Sequence, residues 1–336
     1  MNPFWRCALA LAAALAVVPA HPQAFRLPTP NRALLEDGGE ARYFVGTVGR
    51  TWTSGTFGCV RSDGAQFHEG LDIRAVQRDK RGEATDPVTA TLDGVVAYIN
   101  LKPSLSNYGI YVVLRHQAEG LEFYSLYAHL ADTPAGLKVG QRVGAGERIG
   151  TVGRTSNTSQ AISRERAHLH FEIAFRLTDR YAAWHQANLK GTRNDHGEWN
   201  GRNFLGIDPA PVLRGAAASR DFSLLRHLRS QRELCRVMIR KSDLFWARRC
   251  PGLVANNPRA LKEGVAGFEV VLNATGLPFL LIPRAASEIA GKERVRLLSV
   301  NAAEAERLPC RKIVRQRNGQ WELGVNGNAL ISLLTH

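Results

Sequence analysis

The stretch AHLHFEIAF, residues 167–175, decides how the middle of this 336-residue chain is read. Its aliphatic and aromatic side chains, ended by polar residues on either side, read as a strand rather than a helix. GVVAYI (94–99), YGIYVVLRH (108–116) and EFYSLYAHL (122–130) have the same character, each bounded by Gly, Pro, Asn or Asp. Several short strands with no long helical pattern between them predict a mainly β fold, with an antiparallel sheet carrying a groove. The intervening AGLKVGQRVGAGERIGTVG (135–153) has glycines every few residues, which suits tight turns between short strands. Its Gly144-x-Gly146 lacks the strand-then-helix context of a dinucleotide site, so that reading is excluded.

Outward from this core, the N-terminus shows Arg6, an apolar run from Cys7 to Val18 and a small-residue site at Val18-Pro19-Ala20. This is expected to be a signal peptide over 1–20, too short in its apolar run to span a bilayer. The mature chain is therefore expected in the periplasm or outside the cell, with no integral membrane segment. Residues 21–44 read as a linker or strap, and 45–215 as the main β domain, with its core at 60–176. The polar stretch 178–205 reads as an insertion or long loop. Residues 216–336 read as a smaller α+β or β domain, opening with DFSLLRHLRSQRELCRVM (221–238), whose apolar spacing fits a helix.

The formal net charge of +14 favours an anionic partner. After export that partner is expected to be a wall polymer or a protein met by the basic C-terminal region, not nucleic acid. Beyond the signal, Cys59, Cys235, Cys250 and Cys310 remain. They form either two disulfides, in which case Cys59 must bridge to the C-terminal region, or one disulfide and two buried thiols.

Three histidine-bearing segments stand out. His168 and His170, two apart in a strand, point to one face with Cα atoms about 6.6 Å apart. His68 and Asp72 in HEGLD would lie about 13 Å apart in a straight strand. A helical turn or an extended segment bent at Gly70 would bring them together, and Gly64, Gly70 and the LDIRA run favour the bent strand. His129 ends a third strand-like run. Two histidines and a carboxylate, with one position open, form a catalytic zinc pattern, leaving two histidines for proton transfer.

HEGLD (68–72), YAHL (127–130) and AHLHFE (167–172), in this order, resemble the three motifs of the M23 (lysostaphin-type, LytM) zinc metallopeptidases. KVGQRVGAGERIGTVG (138–153) is similar to that family's glycine-rich stretch. The resemblance covers residues 60–176 and extends weakly to IDPAPVL (207–213). It implies one zinc ion per chain, held by His68, Asp72 and His170, with His129 and His168 as the catalytic histidines. It further implies hydrolysis of peptide bonds in peptidoglycan cross-links or glycine-rich peptides. A non-catalytic regulator that activates other wall hydrolases is the alternative. The chain departs from the family pattern in the long 154–167 loop, in Ala167 where proline is common, and in the 178–205 stretch.

Of the remaining candidates, His116, His185 and His196 read as surface or loop histidines. Glu172 reads as lying on the opposite face of its strand, a structural group supporting a ligand. Asn107 and Tyr108 are placed along the groove. Glu69, despite the apparent H-E pair, is read as outside the chemistry.

Overall fold

The computed structural model describes residues 25–158 and 161–336. The expected signal peptide falls on residues outside these. Among the described residues no helix is long and apolar enough to cross a membrane.

The molecule is mainly β, as expected, and its principal sheet is antiparallel with nine strands. Leu121–Asp132 is central, pairing with Ile110–Ala118 on one side and His168–Arg176 on the other. Leu71–Arg74 also pairs with His168–Arg176, and Phe204–Ile207 extends the sheet beyond it. These strands alternate between two buried faces. Val112, Leu114, Phe171, Ile173 and Phe175 enter the main core. Tyr111, Val113, Tyr124, Leu126, Ala128 and Ala174 form a second cluster on the other face. Burying each large side chain stabilises the sheet by about 1.5–3 kcal/mol.

The second face is covered by the 178–205 stretch, which is not a plain loop. Tyr181–Asn188 is an α-helix whose Tyr181, Trp184 and His185 are buried. Their spacing of three and four places them on one helix face, a period hidden by the polar residues around it. Trp199 then packs on the aromatic cluster, stacked on Tyr98 with ring centroids 6.0 Å apart.

The C-terminal part contains a four-stranded antiparallel sheet in the order 278–284, 267–272, 235–239, 295–300. The helix expected over 221–238 is confined to Leu224–Arg229, and Cys235–Ile239 is a strand. Cys235, Val237 and Ile239 alternate into the core, and strands on both sides supply the backbone partners. That tertiary pairing outweighs local helical spacing.

The main core runs without a break from the peptidase-like sheet into this region. Phe175 lies against Trp246 at 5.5 Å, and Trp184 Nε1 donates to Ser332 Oγ at 2.8 Å. Glu122 forms an ion pair with Arg249. Cys59 and Cys310 are joined by a disulfide, while Cys235 and Cys250 are buried thiols. Of the two cysteine arrangements open from the sequence, this is the one-bridge form, and its bridge does reach the C-terminal region. Residues 25–44 pack against the sheet through buried Leu34 and Tyr43. Asn31 Nδ2 donates to the carbonyls of Arg42 and Arg74, tying the segment down.

Candidate metal centre

Gln66–His68 and Leu71–Arg74 are separate strands with the chain bent at Gly70. A Cβ on Gly70 would stand 2.4 Å from the Phe171 carbonyl oxygen. Glycine is thus required by close backbone approach, and this packing carries the bend expected between His68 and Asp72. In the antiparallel pairing, Asp72 lies opposite His170 and Arg74 opposite His168.

The consequence is a tight buried cluster. Asp72 Oδ1 lies 3.2 Å from His68 Nε2 and 3.1 Å from His170 Nδ1. His68 Nε2 and His170 Nδ1 are themselves 3.1 Å apart. Ligands bound tetrahedrally at 2.0–2.2 Å stand roughly 3.3 Å from one another, so this spacing fits a zinc ion.

Hydrogen bonds set the ring tautomers to suit. His68 Nδ1 donates to the Thr56 carbonyl at 2.7 Å, leaving the Nε2 lone pair turned toward the cluster. His170 Nε2 donates to Glu172 Oε1 at 2.9 Å, which turns Nδ1 toward Asp72 and His68. Glu172 in turn accepts from the Tyr108 hydroxyl at 2.9 Å. Its expected position on the opposite face is therefore wrong: two residues from His170, it shares that face and holds the ring.

His129 and His168 stand beside the cluster with ring centroids 4.9 Å apart, and His129 is 6.0 Å from His170. His168 Nδ1 donates to the Arg166 carbonyl at 2.7 Å, and His129 Nδ1 to the Thr155 carbonyl at 2.9 Å. Each thus keeps an Nε2 lone pair. The strand pairing shifts register between Ile110 and Val112, opposite Leu130 and Tyr127, and His129 sits in this bulge at φ 60°. A left-handed backbone is costly for histidine, and a bulge is a known means of re-aiming a side chain. No signal in YAHL marks this; it arises from pairing with a distant strand.

Electrostatics follow from burial and proximity. Burial opposes charge on Asp72, but His168, His68 and His170 outweigh it and hold its carboxyl well below the usual range. Burial also opposes charge on His170, yet the carboxylates of Asp72 and Glu172 raise it to about 10. The pocket therefore favours a cation. Burial, then the charges of His168 and His170, push His129 down to about 3. Burial lowers His168 as well, so both are neutral proton acceptors at pH 7.

A groove of about 1080 Å³ opens over the cluster. Asn107 and Tyr108 line it, as expected, and so do His196 and Arg202 from the 178–205 stretch. Glu69 lines it too, but no hydrogen bond joins its carboxylate to the cluster. Arg61, unnoticed in the sequence, donates from Nη2 to Asp72 Oδ2 at 2.6 Å and reaches His68 Nε2 at 3.0 Å.

The surface reading fails for three histidines, all of which are buried. His116 donates from Nδ1 to the Asp93 carbonyl and lies 2.7 Å from Ser125 Oγ, away from the groove. His185 contacts Thr192 Oγ1, and His196 the Tyr98 hydroxyl. His116 and His196 are covered by segments distant in sequence, which a local reading does not see, whereas His185 is met by Thr192 seven residues on.

Residues 66–182 match the family model for Peptidase family M23. Over 114 residues the chain is 35% identical to the cell division protein DipM of Caulobacter vibrioides, a match covering 34% of this chain and 15% of that protein. It is similar to a putative glycyl-glycine endopeptidase LytM from Ruminococcus gnavus, with 28% identity over 46% of this chain and 48% of that one, TM-score 0.30. A zinc containing peptidase from Vibrio cholerae shares 29% identity over 32% of this chain and 26% of that one, TM-score 0.24. The chain spans about a seventh of the curated relative and less than half of either solved chain.

Proposed function

We propose that this protein is an exported zinc-dependent metalloendopeptidase that hydrolyses peptide bonds in peptidoglycan cross-links or glycine-rich peptides. The observation that carries this reading is the convergence of His68, Asp72 and His170, whose donor atoms all lie within 4.8 Å of one another in a buried cluster. In this proposal those three residues hold the metal, one ion per chain. Zinc held there would polarise the scissile carbonyl and acidify the attacking water. His129 and His168 share the remaining work: one accepts the proton of the attacking water at Nε2, and the other stabilises the developing oxyanion, for which it must carry a proton on Nε2.

We assign residues 45–215 to the peptidase domain and 216–336 to a C-terminal domain whose basic surface meets the wall or a partner protein. The match to a cell division protein supports a second reading, a non-catalytic regulator of other wall hydrolases. The full set of five site residues favours catalysis, because a regulator needs none of them.

The test uses purified mature protein, muropeptides and an oligoglycine peptide, with and without chelator, beside His170→Ala. Chelator-sensitive cleavage lost in the variant is expected. No hydrolysis of either substrate by zinc-loaded protein would favour the regulator.

A further inference from the structure

The C-terminal segment contributes an arginine to the groove. Pro309–Arg311 is a short 3-10 turn that contains Cys310 of the Cys59–Cys310 bridge. The bridge ties this turn to the strand Gly58–Arg61, and hence to the neighbourhood of Arg61 and His68. Arg311 lines the groove, with its guanidinium carbon 4.4 Å from the centre of the Phe67 ring. Its Nε and Nη2 both donate to the Thr275 carbonyl, at 3.0 and 2.8 Å. Asn326 Nδ2 donates to the backbone carbonyl of Arg311 at 2.8 Å. The side chain is thus held by the Phe67 ring and the Thr275 carbonyl, and Nη1 has no partner among the described residues.

Arg61, Arg236, Arg249 and Arg284 each make an ion pair with a carboxylate. Arg311 makes none among the described residues. Glu69, whose charge reaches it, is not within ion-pair distance. Burial makes its charge costly. A partly desolvated guanidinium, already oriented and lacking an anion, is a preorganised carboxylate site. The other charges around the groove reinforce this. Asp72 is held by Arg61, and Arg166 uses only Nε, toward the Gly46 carbonyl. Arg202 forms no ion pair among the described residues, so the groove presents an excess of positive charge.

We propose that Arg311 is a specificity-determining residue that binds a carboxylate of the substrate peptide, so that the groove selects acidic peptides over neutral ones such as oligoglycine. This rests on the peptidase reading above for the word substrate, but the binding preference itself does not require turnover. One charge-assisted contact from Nη1 in a partly buried site corresponds to about a tenfold preference.

The experiment compares fluorescein-labelled peptidoglycan stem peptides with their carboxylates free and with the same groups amidated, using full-length mature protein. Binding is read by fluorescence anisotropy and cleavage by chromatography. The wild type is expected to bind the free acid about tenfold more tightly. Arg311→Gln is expected to bind both alike, and Arg311→Lys to recover part of the preference. Equal or undetectable binding of the two peptides by the wild type, or a preference that survives in Arg311→Gln, overturns the inference. An Arg311-dependent preference without cleavage sustains it and overturns the peptidase reading instead. Zinc content and melting temperature, unchanged in Arg311→Gln, separate loss of recognition from loss of fold.

Discussion

The two acidic residues of HEGLD have opposite fates. Asp72 is buried at the meeting point of His68 and His170, whereas Glu69 lines the groove without touching the cluster. Asp72→Ala is expected to abolish zinc retention and cut activity by more than a hundredfold, while Glu69→Ala leaves activity within about threefold. Metal analysis and peptide hydrolysis check both. Glu172→Gln should weaken zinc binding by about tenfold to a hundredfold, measured by competition with a chromogenic chelator, because the amide no longer fixes the His170 ring. The spacing of HEGLD, YAHL and HLH makes the five central residues readable from sequence. Glu172 was equally readable, since period two puts it on the His170 face, and only the assignment of faces was at fault. Arg61 was not readable: nothing in VRSDG marks an arginine whose role depends on a strand pairing with Gln66–His68.

Single elements explain what the strand pattern could not. The long strands are plain in the sequence because their β-branched and aromatic runs are buried on both faces. The bulge that turns His129 inward depends on a partner strand and on the loop that receives its ring. Thr155 is central there: its carbonyl accepts from His129, and its Oγ1 donates to Leu130 and accepts from the Ile110 amide. Gly109, at φ 62°, leaves room for it, since a Cβ would lie 2.2 Å from the Thr155 carbonyl oxygen. Gly109→Ala should therefore displace Thr155, cost about 1–3 kcal/mol of stability and lower activity at least tenfold while zinc is retained. Urea unfolding, metal analysis and kinetics together read these effects. The helix Tyr181–Asn188 and the strand Cys235–Ile239 were misjudged for a related reason: each is decided by the surface it covers, not by its own composition.

At the scale of the whole molecule, buried neutral histidines set the response to acid. Burial lowers His116 to about 4, and His129 stands near 3. An unfolded histidine titrates near 6.5, so between these values the unfolded chain binds more protons than the folded one. The share of stability carried by these two histidines is accordingly full above pH 6.5 and falls as pH drops toward 4, with His116 alone contributing a loss of about 2–3 kcal/mol. Urea midpoints at pH 7 and pH 4.5 measure this, and His116→Asn, with an amide to meet the Asp93 carbonyl, should flatten the decline. The unbroken core has a practical consequence for anyone producing the protein. A gene cut after residue 213 keeps all five central residues of the site, yet strips Trp246 from Phe175, Arg249 from Glu122 and Ser332 from Trp184. The shortened product should collect in inclusion bodies or elute as aggregates in size-exclusion chromatography, and a soluble, monomeric, cleaving fragment would show that the C-terminal half is dispensable. Attempts to transplant this site onto another carrier should begin from residues 25–336, bridge included.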